Sequence, residues 1–296
     1  MKPIIFEGAG VAIITPFDKE GNINFKAFKK ILDFQLANET DAIIVCGTTG
    51  ESSTMTDDEH LSCISFVVDY CNHAVPVIAG TGSNDTRYAT WLSREAEKIG
   101  ADAVLLVTPY YNKTTQHGLI KHFDSICTSI SIPAILYNIP GRTGMNIDIP
   151  TMVELAKVPN IVAVKEASGN ISYCAKLLNA CGDKLSVYSG NDDMTVPIMS
   201  LGGKGVISVL SNIMPKETHR MTANCLRENY VEASHFQLNY LDLINALFSE
   251  VNPIPIKEAM NAMGFDVGDC RLPLCKMSDE HAFALTNIMW KHGLIS

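Results

Sequence analysis

What this sequence lacks narrows the field first. It has no surplus of basic residues: 23 lysines and arginines stand against 32 aspartates and glutamates, a net charge of −9. A nucleic-acid partner requires a basic footprint, so none is expected. No stretch reaches 18 uninterrupted apolar residues, which leaves no candidate membrane span, and Met1–Glu7 holds no signal-peptide apolar region. The expected location is the cytoplasm. Paired cysteine motifs are missing as well. Nine cysteines, at 46, 63, 71, 127, 174, 181, 225, 270 and 275, are an odd number without a CxxC, mostly inside apolar segments. That pattern fits reduced, buried thiols better than a disulfide framework. Cys270 and Cys275 are close, yet no histidine stands beside them at metal-ligand spacing, and His117 and His122 have no carboxylate or thiol neighbour. No structural metal is expected.

What the sequence has is apolar material, 47% of 296 residues, and a repeating order. The length allows one large barrel with an extension or two ordinary domains. Eight times a short β-branched run is followed by a turn and a helix-length amphipathic segment. The strand candidates are 10–17, 42–47, 75–80, 103–109, 134–139, 161–166, 185–190 and 205–210; helices are expected to begin near Asn24, Thr56, Asp85, Thr115, Asp148, Ser172, Asp192 and Pro215. Thr56 with Glu59 three residues on reads as a capping box, and Pro215 suits a first helical turn. Alternating strands and helices imply parallel pairing. Eight units predict a (β/α)8 TIM barrel over residues 1–228. The competing doubly wound sheet usually shows a glycine-rich first turn, and Thr15-Pro16-Phe17-Asp18 has none. Residues 229–296 read as a C-terminal helical extension, with helices over 230–248, 255–263 and 278–292.

In such a barrel, chemistry gathers where strands end. Lys165 closes the apolar run Ile161-Val162-Ala163-Val164, and two readings stand. A desolvated ammonium loses proton affinity and becomes a nucleophile for a carbonyl; alternatively the stem is packed and the head is wet. After the second strand, Gly47-Thr48-Thr49-Gly50-Glu51-Ser52 places hydroxyls between glycines. It could cradle a carboxylate, its glycines turning amides inward, or serve as a plain turn and helix cap. Thr108-Pro109-Tyr110-Tyr111-Asn112 and Tyr137-Asn138-Ile139-Pro140-Gly141-Arg142-Thr143-Gly144 would bring tyrosines and an arginine to the same mouth. There a phenol can relay protons and a guanidinium can grip a carboxylate, or both can be rim packing and surface charge. Lys257, a second candidate amine, is expected to be a solvated or salt-bridged surface charge.

These residues resemble a known family. GTTGES at 47–52, TPYYN at 108–112, YNIPGRTG at 137–144, VKEAS at 164–168 and SGNDD at 189–193 are similar to the motifs of dihydrodipicolinate synthases, and GVISV at 205–209, NPIPIKEAM at 252–260 and RLPL at 271–274 extend the likeness. These are pyruvate-dependent class I aldolases, in the group that includes N-acetylneuraminate lyase. The resemblance implies that Lys165 forms a Schiff base with pyruvate, whose enamine adds to aspartate semialdehyde. It implies that Tyr137 donates and accepts protons, and that Thr48 links it to a Tyr111 taken from a neighbouring subunit. Thr48 and Thr49 would hold the pyruvate carboxylate, Arg142 that of the semialdehyde, with Gly190 and Ile207 lining the pocket. It further implies a homotetramer built as a dimer of dimers, with no cofactor. A sugar-acid aldolase sharing Lys165 and Tyr137 is the alternative, and a non-catalytic carboxylate sensor is the reading from another class.

Many members of the family are inhibited by lysine, through residues that match Ser52, Ser53, His60, Asn84 and Tyr110. A histidine expected at 57 is Asp57, and a glutamate expected at 88 is Tyr88. Losing a carboxylate that would meet the ligand's ammonium predicts weak or absent feedback.

Overall fold

Short apolar runs separated by helix-length segments can pair only side by side and in parallel, and that is how they are arranged. The structure, a computed structural model, describes residues 2–296. Eight strands, β1 (Gly8–Ala12), β2 (Ala42–Val45), β3 (Val77–Gly80), β4 (Ala103–Val107), β5 (Ala134–Asn138), β6 (Ile161–Glu166), β7 (Ser186–Ser189) and β8 (Gly205–Ser208), close into one barrel in sequence order, with β8 returning to β1. The ladders are parallel throughout and helices fill the crossovers. This is the (β/α)8 architecture that the alternation requires.

Period-two alternation splits the apolar residues into two layers. One layer, including Ile44, Ile78, Leu105, Ile135, Ala163 and Ile207, fills the barrel. The other, including Ile43, Val45, Val104 and Val164, packs outward against helix residues such as Phe28, Ile64 and Phe123. At the end where strands begin, Phe6 stacks on Tyr188 with ring centroids 4.3 Å apart, and the Tyr188 hydroxyl donates to the Phe6 carbonyl at 2.7 Å. Lys2 Nζ donates to the carbonyls of Ala156, Val158 and Ile161 at 2.6–2.7 Å. That end is closed, leaving the other for a ligand.

Helix starts follow their side chains. Thr56 and Glu59 form the capping box, Asn24, Asp85 and Thr115 cap their helices, and Pro215 opens its own. Two expectations need correction. β1 ends at Ala12 rather than residue 17, because Ile14 N–H bonds Asn212, the Thr15 hydroxyl bonds Gly50 O and Phe17 N–H bonds Val267 O. Burial continues there without a ladder, and hydrophobicity registers only the burial. The helix expected to begin near Ser172 does begin there, at Ile171, behind an Asn170 cap whose side chain accepts from Tyr173 N–H. The helix expected over 230–248 is two helices, Tyr230–Asn239 and Leu241–Ala246. Beyond them lie helices Ile254–Ala262 and Asp279–Lys291. No helix among the described residues is long and apolar enough to cross a membrane.

Candidate active site

Alternation along β6 decides which way Lys165 points. It shares the inward face with Ala163, while Glu166 faces outward, its carboxylate accepting from Asn138 Nδ2 at 2.7 Å and from Ser168 N–H at 2.6 Å. In register, Lys165 lies between Tyr137 on β5 and Tyr188 on β7. It is only 7% exposed, and its Nζ sits 4.3 Å from the centroid of the Tyr137 ring. No described residue makes a hydrogen bond to that nitrogen. Burial therefore draws its pKa down from the ordinary lysine value to about 7, against the opposing pull of Asp192. A substantial share of the amine is then unprotonated at neutral pH.

Tyr137 is buried beside it, and burial pushes its phenol up to about 12, with Arg142 and Thr48 pulling weakly the other way. At neutral pH it keeps its proton and begins as a donor. Gly190 has to be glycine: a Cβ there would lie 2.6 Å from the Ala167 Cβ and 3.1 Å from Lys165 Cε. Ile207 lies buried in the same inner layer.

A cavity of about 510 Å³ opens on this mouth, lined among others by Thr48, Tyr110, Tyr137 and Arg142. Lys165 is not on its wall, but Tyr137, whose ring lies 4.3 Å from the Lys165 Nζ, is. Thr49 is buried beneath, accepting a hydrogen bond from Asn252 Nδ2 at 3.0 Å. Arg142 sits in the short helix Pro140–Thr143, which sequence reading missed, and its Nη2 donates to the Asn252 carbonyl at 3.0 Å rather than to a carboxylate. Ser52, Ser53 and His60 line the same cavity, the His60 Nε2 lying 2.8 Å from Gly80 O. Asn84 is set beside it, its Nδ2 donating to Tyr110 O at 3.1 Å.

Two expectations change at this mouth, for the loop glycines and for Lys257. Tyr111 does not line the cavity: the residue has φ +68° and is 93% exposed. Gly47 and Gly50 are not the left-handed residues of their loop; Cys46 and Glu51, both at φ +56°, are. Gly50 instead allows close approach, since a Cβ would meet Cys46 backbone atoms at 3.2 Å. Lys257 is not a surface charge: it is 2% exposed, with Nζ 2.6 Å from Glu51 Oε1, 3.1 Å from Asp269 O and 4.1 Å from the Phe17 ring. A carboxylate distant in sequence lets the ammonium leave water, and no local pattern announces it.

The sequence pattern of the Dihydrodipicolinate synthetase family matches residues 5–291. The chain belongs to this family. Similar relatives include the 4-hydroxy-tetrahydrodipicolinate synthase of Lachnoclostridium phytofermentans, 57% identical over 98% of this chain and 99% of that protein. That of Acetivibrio thermocellus is 54% identical over 100% of both chains. The crystal structure of dihydrodipicolinate synthase from Aquifex aeolicus superposes with a TM-score of 0.96 at 43% identity, covering 98% of this chain and 99% of that one.

Within the family barrel, some site residues carried no signal of their own. Asp192 is buried, accepts from the N–H groups of Val209 and Leu210 at 3.0 Å, and acts electrostatically on Lys165. It lies inside the SGNDD run at 189–193, where sequence alone assigns it no role. Asn252 and Glu51 likewise lie inside NPIPIKEAM and GTTGES, and only tertiary proximity distinguishes them.

Proposed function

We infer that this chain is a lyase catalysing the 4-hydroxy-tetrahydrodipicolinate synthase reaction, condensing pyruvate with L-aspartate 4-semialdehyde on the diaminopimelate route to lysine. The observation that carries the reading is Lys165: a buried amine with its pKa drawn to about 7, against the ring of a protonated tyrosine.

Unprotonated Lys165 adds to the ketone carbon of pyruvate. Tyr137 gives its proton to the departing hydroxyl, water leaves, and an iminium forms. Loss of a proton from the methyl carbon gives the enamine, for which the protonated imine is the electron sink, so no cofactor is needed. The enamine carbon adds to the aldehyde. The semialdehyde's own amine then attacks the imine carbon, closing the ring and releasing Lys165 as an amine. Thr48 and Thr49 hold the pyruvate carboxylate, and Arg142 takes that of the semialdehyde. Gly190 and Ile207 shape the floor beside the imine.

Tyr111, exposed on a left-handed backbone, is read as serving the Thr48 and Tyr137 of a neighbouring subunit, in a homotetramer built as a dimer of dimers. Residues 229–296 are read as an extension of the barrel rather than a separate domain, because Asn252, Lys257 and Arg271 bond to Thr49 and Glu51 in the loop after β2. The expected site of action is the cytoplasm.

Incubation with pyruvate and borohydride, followed by mass spectrometry, should find a reduced pyruvyl adduct on Lys165. Pyruvate supplied with aspartate semialdehyde should be consumed, and with a sugar acid it should not. Turnover of the sugar acid alone, or the absence of an adduct, overturns the reading.

A further inference from the structure

Asn252 stands where the extension meets both proposed carboxylate sites. It is 5% exposed; its Nδ2 donates to Thr49 Oγ1 at 3.0 Å, and its backbone carbonyl accepts from Arg142 Nη2 at 3.0 Å. Its Oδ1 is buried with no hydrogen-bond partner among the described residues. A buried acceptor left unpaired is costly, and residues whose only task is to fill space do not usually carry that cost.

A hydroxyl has one hydrogen to give. With the Asn252 amide donating to Thr49 Oγ1, that oxygen acts as acceptor, and the Thr49 hydrogen is left for another group. No described residue takes it.

We propose that Asn252 is a positioning residue for the reaction, fixing the Thr49 hydroxyl as a donor toward the pyruvate carboxylate. This rests on the reading of Thr49 given above. Asn252 acts through Thr49 and touches no substrate itself. Its side chain serves the pyruvate site alone, because its link to Arg142 runs through the backbone and survives side-chain replacement.

The test is steady-state kinetics on the full-length enzyme, with melting temperatures as a check on folding. Asn252→Ala should raise the pyruvate KM about tenfold, the weight of one directed hydrogen bond, with kcat and the semialdehyde KM within about twofold. Asn252→Asp, the isosteric change, should raise it further: the new carboxylate accepts the Thr49 hydrogen and repels the ligand. Thr49→Val should raise the pyruvate KM by itself, and adding Asn252→Ala to it should do nothing more. If the alanine variant does not fold, the Asp and Val variants still decide. Thr49→Val raising KM while both Asn252 variants leave it unchanged overturns the role of Asn252 and leaves that of Thr49 standing. Thr49→Val without effect overturns both. Equal rises for both substrates, or additive effects in the double variant, show a general structural role and also overturn the proposal.

Discussion

Two lysines lie buried in this chain, and their difference is more instructive than their likeness. Lys165 and Lys257 are 7% and 2% exposed, and each ammonium nitrogen faces an aromatic ring at 4.3 and 4.1 Å. Burial pulls both proton affinities down. Lys257, however, has the Glu51 carboxylate at 2.6 Å and a backbone carbonyl at 3.1 Å, so its charge is compensated. Lys165 has neither. Burial thus makes one lysine a fastener and leaves the other an amine of lowered proton affinity, the proposed nucleophile, and the adjoining carboxylate makes the difference. The fastener also acts where the backbone is held in the left-handed region at Glu51, directly after the Thr48–Thr49 loop.

The largest expected effect breaks the comparison on the catalytic side. Lys165→Ala should lower kcat by on the order of 10³-fold or more and abolish borohydride trapping, with the fold retained. Lys257→Met should leave trapping intact. It should instead cost about 3–5 kcal/mol of stability in urea melts, because Glu51 is left buried and unpaired. Replacing both, Glu51→Gln with Lys257→Met, should restore most of that loss, a non-additivity that only a coupled pair produces. If Lys257→Met abolished trapping while the protein stayed folded, the division between the two lysines would be wrong.

That division was half legible in the sequence. Lys165 could be found because it terminates an apolar run whose length and alternation fix its direction, and because strand ends in a barrel converge on one mouth. Tyr137, Thr48 and Arg142 were found the same way, as polar residues at the ends of β5 and β2. Lys257 was misjudged, since its partner Glu51 comes from the loop after β2 and the local pattern of helix Ile254–Ala262 carries no trace of it. Asn252 escaped a role for the same reason. Strand order places the loop that carries Tyr111 but not its backbone angle, φ +68°, or its 93% exposure. Period and spacing report what is local, and side-chain pairs across the barrel mouth are not local.

A smaller effect sharpens the contrast through pH. Lys165 binds its proton less tightly folded, at about 7, than unfolded, near the ordinary 10.5. Between those values the unfolded chain holds more protons, so stability rises with pH across that window. At and below about pH 7 the full cost of burying the charge is present, and near 10.5 it is gone. Lys165→Met should therefore be more stable than the parent by up to about 4 kcal/mol at pH 7, with the advantage shrinking as pH rises. Melting temperatures of the two proteins across that range check it; an advantage that grows with pH would contradict the assigned shift. The parent's rate of imine formation should climb through pH 7 and level off above it.

The same rule extends to an amine that is not part of the chain. An ammonium leaving water needs a carboxylate, as Lys257 has in Glu51, and free lysine entering the cavity beside Ser52, Ser53 and His60 would need one too. Position 88, where the family's lysine-sensitive members would place a glutamate, is Tyr88, and its hydroxyl is already committed to Asp57 Oδ1 at 2.7 Å. That contact and burial hold the phenol above its ordinary pKa, so it offers the ligand no negative charge. Asp57 occupies the other departure from the pattern, and its Oδ1 is engaged by that phenol. Low micromolar lysine should accordingly leave the rate unchanged, while Tyr88→Glu should introduce a measurable, salt-sensitive inhibition at higher lysine, on the order of 1 kcal/mol of added affinity for a half-exposed pair. Strong inhibition of the parent enzyme by micromolar lysine would mean that some other group supplies the missing charge, and the requirement inferred from Lys257 would not extend beyond the chain's own interior.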